Sequence, residues 1–364
     1  MVCLWGASLL FFIITSGKCN LHCRYCGGSF PEDRVPYDVT YDLDSLKNFI
    51  EKDPEATIAF YGGEPLINSK FIERVMTCIK AKHFVIQTNG LLYERLGKEF
   101  WNKMDAVLLS IDGRKEVTNF YRGDKVYEKV IEVARQLRSS GFRGDLIARM
   151  AVSERTDIYR DVLHLVGLEL FDHIHWQLDV GWSTLWEDFI GWCKTKYMPG
   201  IKALVDFWGR ELQIGKVIGL VPFLGILQRI RKNSIEGPPC GSGRDAFAIM
   251  PTGEVLACPI AFDVGWAKVG NLYNNTPSDL LRVDVGGSCK TCKYFRVCGG
   301  RCLYVNKEHL WGKEHMNMVC EITKFTINEI LNCLNIVEDV LNRQVISQDD
   351  LDYPKFNNST EIIP

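Results

Sequence analysis

The 364-residue sequence has almost no surplus of charge, with a formal net charge of −2 at pH 7. Such a balance gives no electrostatic footprint for nucleic acid. Long hydrophobic runs are missing too. The stretch Leu9-Leu10-Phe11-Phe12-Ile13-Ile14 is too short to span a bilayer. No Lys or Arg precedes it and no clean small-residue cleavage site follows, which argues against a secretory signal. A buried parallel strand fits this stretch better. The apolar run 217–227 is broken by Gly219, Pro222 and Gly225 and reads as packed core. There is no internal repeat or low-complexity tract. What remains is an ordinary globular composition, 46% hydrophobic and 24% charged. The expected setting is a reducing cytoplasm, with neither membrane nor nucleic acid as partner.

Cysteine, by contrast, is abundant, and ten of the 14 cysteines fall in two arrays. Cys19, Cys23 and Cys26 read C-x3-C-x2-C. Cys289, Cys292, Cys298 and Cys302 read C-x2-C-x5-C-x3-C, preceded by Cys240 and Cys258 and followed by Cys320. A disulfide framework belongs to small secreted domains. Zinc suits C-x2-C pairs, but only His22, inside the loop itself, could complete a zinc site at the first array. Clustered thiolates at such spacing favour iron–sulfur centres. Ten thiolates suggest three [4Fe–4S] clusters and leave two ligands missing. Cys3, Cys78, Cys193 and Cys333 read as buried apolar thiols.

Apolar runs at 9–15, 57–61, 83–87, 106–111, 146–152 and 173–178 alternate with helix-like segments at 42–52, 69–81, 91–102, 124–140 and 157–168. This alternation predicts an α/β fold of six βα units on a parallel sheet. In such folds the site gathers where the strands end. The predicted organisation is a first domain at 8–185, a helical bridge at 186–239, a second domain at 240–345 with a final helix over 320–343, and a mobile polar tail at 346–364.

Cys19-Asn20-Leu21-His22-Cys23-Arg24-Tyr25-Cys26 resembles the signature of radical S-adenosylmethionine (SAM) enzymes. Gly62-Gly63-Glu64-Pro65, at the end of the second strand, resembles that family's GGEP motif. Gln87-Thr88-Asn89-Gly90 and Ser110-Ile111-Asp112-Gly113 resemble its next two strand ends. The resemblance implies a partial (β/α)6 TIM-like barrel. Its three cysteines would hold one [4Fe–4S] cluster, with the fourth iron open to SAM. Tyr25 would then contact the adenine, and Gly62, Gly63, Glu64 and Pro65 would receive the methionine ammonium. Thr88, Asn89, Ser110, Asp112 and Gln177 would face SAM or the cavity, with Asp179 beside Gln177, and Arg122 would grip the SAM carboxylate. The implied chemistry is reductive cleavage of SAM to a 5′-deoxyadenosyl radical that takes hydrogen from a substrate. A low-potential donor such as ferredoxin or flavodoxin would supply the electron.

The second array resembles a C-terminal SPASM domain with two auxiliary [4Fe–4S] clusters. Carried over, Cys289, Cys292, Cys298 and Cys320 complete one. Cys240, Cys258 and Cys302 hold the other, and no cysteine in 241–247 supplies a fourth ligand. That leaves an iron open to a substrate thiolate, unless water, Asp245 or another side chain fills it. SPASM proteins mostly modify ribosomally made peptides or proteins. Distant kin, the anaerobic sulfatase-maturating enzymes, place an acid directly after the second SPASM cysteine. Here Pro259 follows Cys258 and the next acid is Asp263, which weakens that reading. The short N-terminal extension resembles archaeal peptide-modifying radical SAM enzymes, and implies that no leader-binding domain precedes the barrel. The primary expectation is a peptide maturase forming a thioether in a Cys-containing peptide. Carbon–carbon cross-linking, decarboxylation, epimerisation and formylglycine formation are alternatives. A non-catalytic three-cluster electron carrier is the alternative of another class, but it has no need of the GGEP motif.

Overall fold

The computed structural model describes residues 8–181, 186–232, 237–354 and 356. Its centre is a ten-stranded sheet: β1 (Leu10–Ser16), β2 (Thr57–Gly62), β3 (His83–Thr88), β4 (Ala106–Ser110), β5 (Asp145–Val152), β6 (His173–Leu178), β7 (Gly219–Leu220), β8 (Ala246–Ile249), β9 (Glu254–Leu256) and β10 (Lys268–Asn271). The order is β10-β9-β8-β1-β2-β3-β4-β5-β6-β7. Strands β1 to β6 follow one another as parallel neighbours, so their C-terminal ends lie on one side.

All seven residues of β1 are buried, because both faces of the sheet are covered. Phe11 and Ile13 enter the main core under the helices, while Leu10, Phe12 and Ile14 enter a smaller cluster with Ala59, Val85, Leu108 and Ala246. Phe30, Tyr61 and Phe262 pack onto that smaller cluster. The period-two alternation is present but divides two apolar surfaces.

The crossover helices carry local signals. Asp42 caps Leu43–Ile50 by accepting from the Ser45 N–H at 2.7 Å, and Asp157 caps Ile158–Gly167 by accepting from Arg160 N–H at 3.1 Å. The helix predicted over 91–102 is instead a 3-10 turn, Tyr93–Arg95, and a short helix, Lys98–Trp101. Gly97 stands between the two. A helix not anticipated, Lys115–Arg122, buries Val117, Thr118, Tyr121 and Arg122 and stops at Gly123, whose φ is 126°.

Beyond β6, helices Met198–Gln213 and Val221–Lys232 stack on the core, the Trp208 indole donating to the Ile218 carbonyl at 3.1 Å. The boundary expected at 240 is not a break in the sheet. β8 pairs in parallel with β1, Leu10 opposite Ala246, and β9 and β10 extend it antiparallel. The final helix begins at Gly312 and runs to Asn342, eight residues ahead of the predicted start. Met318 and Val319 extend its buried stripe before Cys320. Part of the tail packs on the core. Leu351 and Tyr353 are buried, and Gln228 donates to the Tyr353 carbonyl at 3.2 Å. Cys193 and Cys333 are buried as expected, whereas Cys78, at a helix end, is exposed, and Cys3 lies outside the described residues. Among the described residues no helix is long and apolar enough to cross a membrane.

Candidate functional site

The loop after β1 holds the first array. Its backbone is pinned by Cys19 N–H donating to Ser29 Oγ at 2.9 Å and by Gly27 N–H to the Cys23 carbonyl at 2.9 Å. Cys23 is buried, Cys19 half-buried and Cys26 exposed. The Cys23 thiol hydrogen-bonds Cys26, which pulls Cys26 down to about 6 and pushes Cys23 well up. Burial pushes Cys19 up to about 11. His22 turns back onto its own loop, its Nδ1 2.9 Å from the Gly27 carbonyl.

The end of β2 presses against this loop. Gly63 N–H donates to the Ser16 carbonyl at 3.0 Å and Glu64 N–H to the Lys18 carbonyl at 2.9 Å. A Cβ on Gly62 would lie 2.4 Å from the Ser16 oxygen, and one on Gly63 2.4 Å from the Lys18 oxygen. The two glycines thus have a structural reason before any ligand is considered: only a backbone without side chains fits here. Glu64 is buried, and accepts from Thr88 Oγ1 at 2.6 Å, Leu66 N–H at 3.0 Å and Asn89 N–H at 2.8 Å. Burial still raises its carboxyl to about 7. Pro65 gives its carbonyl to Thr15 Oγ1 at 3.0 Å, and the Asn89 amide donates to Asn20 Oδ1 at 2.8 Å.

Arg122 makes a two-pronged contact with Asp112, from Nε to Oδ2 at 2.8 Å and from Nη2 to Oδ1 at 2.7 Å. Tyr25 donates its hydroxyl to Asp112 Oδ2 at 3.0 Å, and the Arg122 guanidinium lies 5.5 Å from the Tyr25 ring centre. Asp112 also accepts the Ala151 N–H at 2.9 Å. Asp112 is therefore the hub that fixes Arg122 and Tyr25, and two donors of Arg122 are spent on it.

A cavity of about 530 Å³ opens at these strand ends. Cys19, Cys23, Cys26, Tyr25, Gly62, Gly63, Glu64, Thr88, Asn89, Ser110, Arg122 and Gln177 line it together, whereas Asp112 and Pro65 stand behind its wall. Arg149 lines it too, donating to Gln177 Oε1 and to the Met150 carbonyl, so Gln177 has a basic partner that the sequence reading missed. Asp179, held by Ser153 Oγ at 3.0 Å, joins the wall. Part of the lining comes from far along the chain: Ile260, Phe262 and Asp263, just after Cys258. Phe262 meets Phe30 edge-on at 5.1 Å, and Tyr304 donates to Asp263 Oδ1 at 3.3 Å. Distance along the sequence hid Asp263; its only signal was being the next acid after Cys258.

Five cysteines of the second array meet at one cavity, and one of them, Cys302, also packs in an apolar cluster with Cys258. Cys289, Cys292, Cys298, Cys302 and Cys320 rim a cavity of about 60 Å³ with Arg301 and Asn306. Cys258 and Cys302 share a small apolar cluster with Ala261, Tyr304 and Val305. Cys240 is buried, its thiol donating to Ser242 Oγ at 3.1 Å. Arg229, buried beneath, feels both Cys298 and Cys240. Among the described residues no three His, Cys, Asp or Glu are gathered to hold one metal ion. A cubane asks for something else, since each thiolate bonds a different iron and the sulfurs surround a larger body. The cysteines rimming the one apolar hollow of the second array, Cys289, Cys292, Cys298, Cys302 and Cys320, fit that demand.

Residues 13–165 match the family described as the Radical SAM superfamily, and the chain carries a radical SAM domain. It is similar to the cysteine-type anaerobic sulfatase-maturating enzyme of Clostridium perfringens, 24% identical over 91% of this chain and 99% of that protein. Similarity to the mycofactocin maturase MftC of Mycolicibacterium smegmatis is 23% identity over 78% of this chain and 75% of that one. The structure of native anSMEcpe with bound AdoMet and Cp18Cys peptide superposes with a TM-score of 0.70 at 21% identity, over 92% of this chain and 99% of that chain. The radical SAM domain at 13–165 implies a [4Fe–4S] cluster and SAM, and the named maturases among the similar proteins are consistent with an enzyme.

Proposed function

We propose that this enzyme modifies a cysteine-containing peptide or protein, made on the ribosome, and that the product is a thioether cross-link. The observation that carries the reading is one cavity lined both by Cys19, Cys23, Cys26 and Gly62-Gly63-Glu64 and by Ile260, Phe262 and Asp263, after Cys258. When bound, the clusters and SAM supply a radical that removes a substrate hydrogen and a place for the remaining electron.

In this reading Cys19, Cys23 and Cys26 hold the SAM-cleaving cluster. Cys289, Cys292, Cys298 and Cys320 hold one auxiliary cluster, and Cys240, Cys258 and Cys302 the other, as a SPASM domain after about residue 240 would. The strands β1 to β6 form the partial barrel. Glu64 and the carbonyls of its strand end receive the SAM ammonium, while Arg122 and Tyr25 are held ready by Asp112. Asp263 stands where it takes the proton of the substrate thiol, and Arg149 and Gln177 orient the peptide backbone. The relatives' names, sulfatase-maturating enzyme and maturase, support a peptide or protein substrate. A cytoplasmic setting and a ferredoxin- or flavodoxin-type donor complete the proposal.

Asp263 also favours a second reading, formylglycine formation on a sulfatase. The acid that the sequence seemed to lack after Cys258 lies on the cavity wall instead. The two readings differ in mass balance. Thioether formation removes two hydrogens and consumes a thiol; formylglycine formation from cysteine removes two hydrogens and also exchanges sulfur for oxygen. Anaerobic coexpression with a short Cys-containing peptide encoded beside the gene, followed by mass spectrometry, decides between them. Failure to form 5′-deoxyadenosine with SAM and dithionite would sink both.

A further inference from the structure

We propose that Asn306 is a positioning residue for the auxiliary cluster on Cys289, Cys292, Cys298 and Cys320, donating its side-chain amide to the Cys289 sulfur and raising that cluster's reduction potential. The inference rests on the reading above that these four cysteines hold a cluster.

Asn306 Nδ2 lies 3.2 Å from Cys289 Sγ, a sound length for an N–H···S bond. At its other end, Oδ1 accepts the Gly286 N–H at 3.0 Å. A backbone N–H can only donate, so the amide oxygen must face Gly286 and the NH2 must face sulfur. The orientation follows from the network and leaves no flip open. Asn306 lines the same small cavity as the five cysteines.

Its place on the backbone adds a second relation. Asn306 N–H donates to the Cys302 carbonyl at 2.9 Å, in the first turn of helix Leu303–Glu308. Cys302 caps that helix and belongs to the other proposed auxiliary site. One helical turn therefore joins a ligand of one cluster to a donor on a ligand of the next.

The reduced cluster carries one electron more than the oxidised one, and its sulfurs are the more negative. A hydrogen bond to a ligand sulfur is stronger in that state, so it favours reduction. Arg301, buried at the same cavity near Cys298, and Lys324, near Cys289, act in the same direction through charge. Asn306 is the neutral group among them, so removing its donor changes no net charge.

The test is an EPR-monitored redox titration of the reconstituted holoenzyme and its Asn306→Leu and Asn306→Asp variants. Leu removes the donor at constant charge and decides the question; Asp keeps an oxygen for Gly286 but has no N–H for sulfur and adds a negative charge that lowers the potential further. With iron content unchanged, one midpoint potential falls in both variants and the others stay. At a fixed poise the reduced fraction of that cluster drops several-fold; a tenfold drop corresponds to 59 mV for a one-electron couple. Unmoved potentials in iron-replete variants overturn the proposal. Iron loss in both variants overturns it too, since the amide would then merely hold the loop. Equal iron in the parent enzyme and a Cys289→Ala variant would instead overturn the underlying cluster assignment, before any Asn306 variant is compared.

Discussion

Arg122 and Asp112 form a buried pair joined by two parallel hydrogen bonds, 2.8 and 2.7 Å long. The sequence suggested Arg122 as a residue for SAM; the structure adds the carboxylate that holds it and the tyrosine that shares it. Removing Asp112 leaves a buried guanidinium without its compensating charge. Asp112→Ala should destabilise the cluster-free chain by about 3–5 kcal/mol. Arg122→Lys keeps the charge, loses the fork and should cost less. Denaturant unfolding of the three proteins checks this; a loss under about 1 kcal/mol for Asp112→Ala would show that the pair is not the hub described.

The two glycines at the end of β2 give a second expectation. In each case the obstacle to a Cβ is a backbone oxygen, of Ser16 or Lys18, which no rotamer change can move. Gly63→Ala should displace the Cys19–Cys26 loop and leave the sheet intact. With the three clusters proposed above, iron bound after reconstitution should drop by about four per chain, from about twelve, at unchanged far-UV circular dichroism. Full iron loading would mean the loop does not depend on that contact.

Glu64 makes stability depend on pH. Its carboxyl is raised from 4.5 to about 7 by burial, so the folded chain keeps that proton when the unfolded chain has released it. Stability of the cluster-free wild type, measured against Glu64→Gln, should therefore fall as pH rises from 4.5 to about 7, by up to ~3 kcal/mol. A difference that is flat across that window, or that grows, would contradict the buried carboxyl as described.

Much of this was legible in the chain itself. The six strands sit within a residue or two of the apolar runs, because a strand buried on both faces writes an uninterrupted apolar word such as Leu10-Phe11-Phe12-Ile13-Ile14. The strand-end motifs were legible for the same reason: each follows such a run. What stayed hidden depends on long-range pairing. Nothing local in Ala246–Ile249 says that it pairs with β1, and nothing in Lys115–Arg122 announces a helix. Asp263, Arg149 and Asn306 matter through neighbours 41, 28 and 17 positions away, a range at which periodicity carries no information.

Asp263 yields the fourth expectation. A general base contributes typically 10²–10⁴-fold. Asp263→Asn should lower peptide conversion by about 10²-fold or more, while 5′-deoxyadenosine formation without peptide stays within a few-fold. Unchanged conversion would remove Asp263 from the reaction and leave it as a partner of Tyr304.

The central claim is that the SAM-binding strand ends and the segment after Cys258 act on one substrate thiol in one cavity. Its most direct test is mass spectrometry, with thiol labelling, of a Cys-containing peptide encoded beside the gene after anaerobic turnover with SAM and dithionite. The account predicts loss of two hydrogens per bond, disappearance of one alkylatable thiol, and one 5′-deoxyadenosine per event. A peptide that keeps its free thiol, or one in which sulfur is exchanged for oxygen, would contradict the thioether assignment.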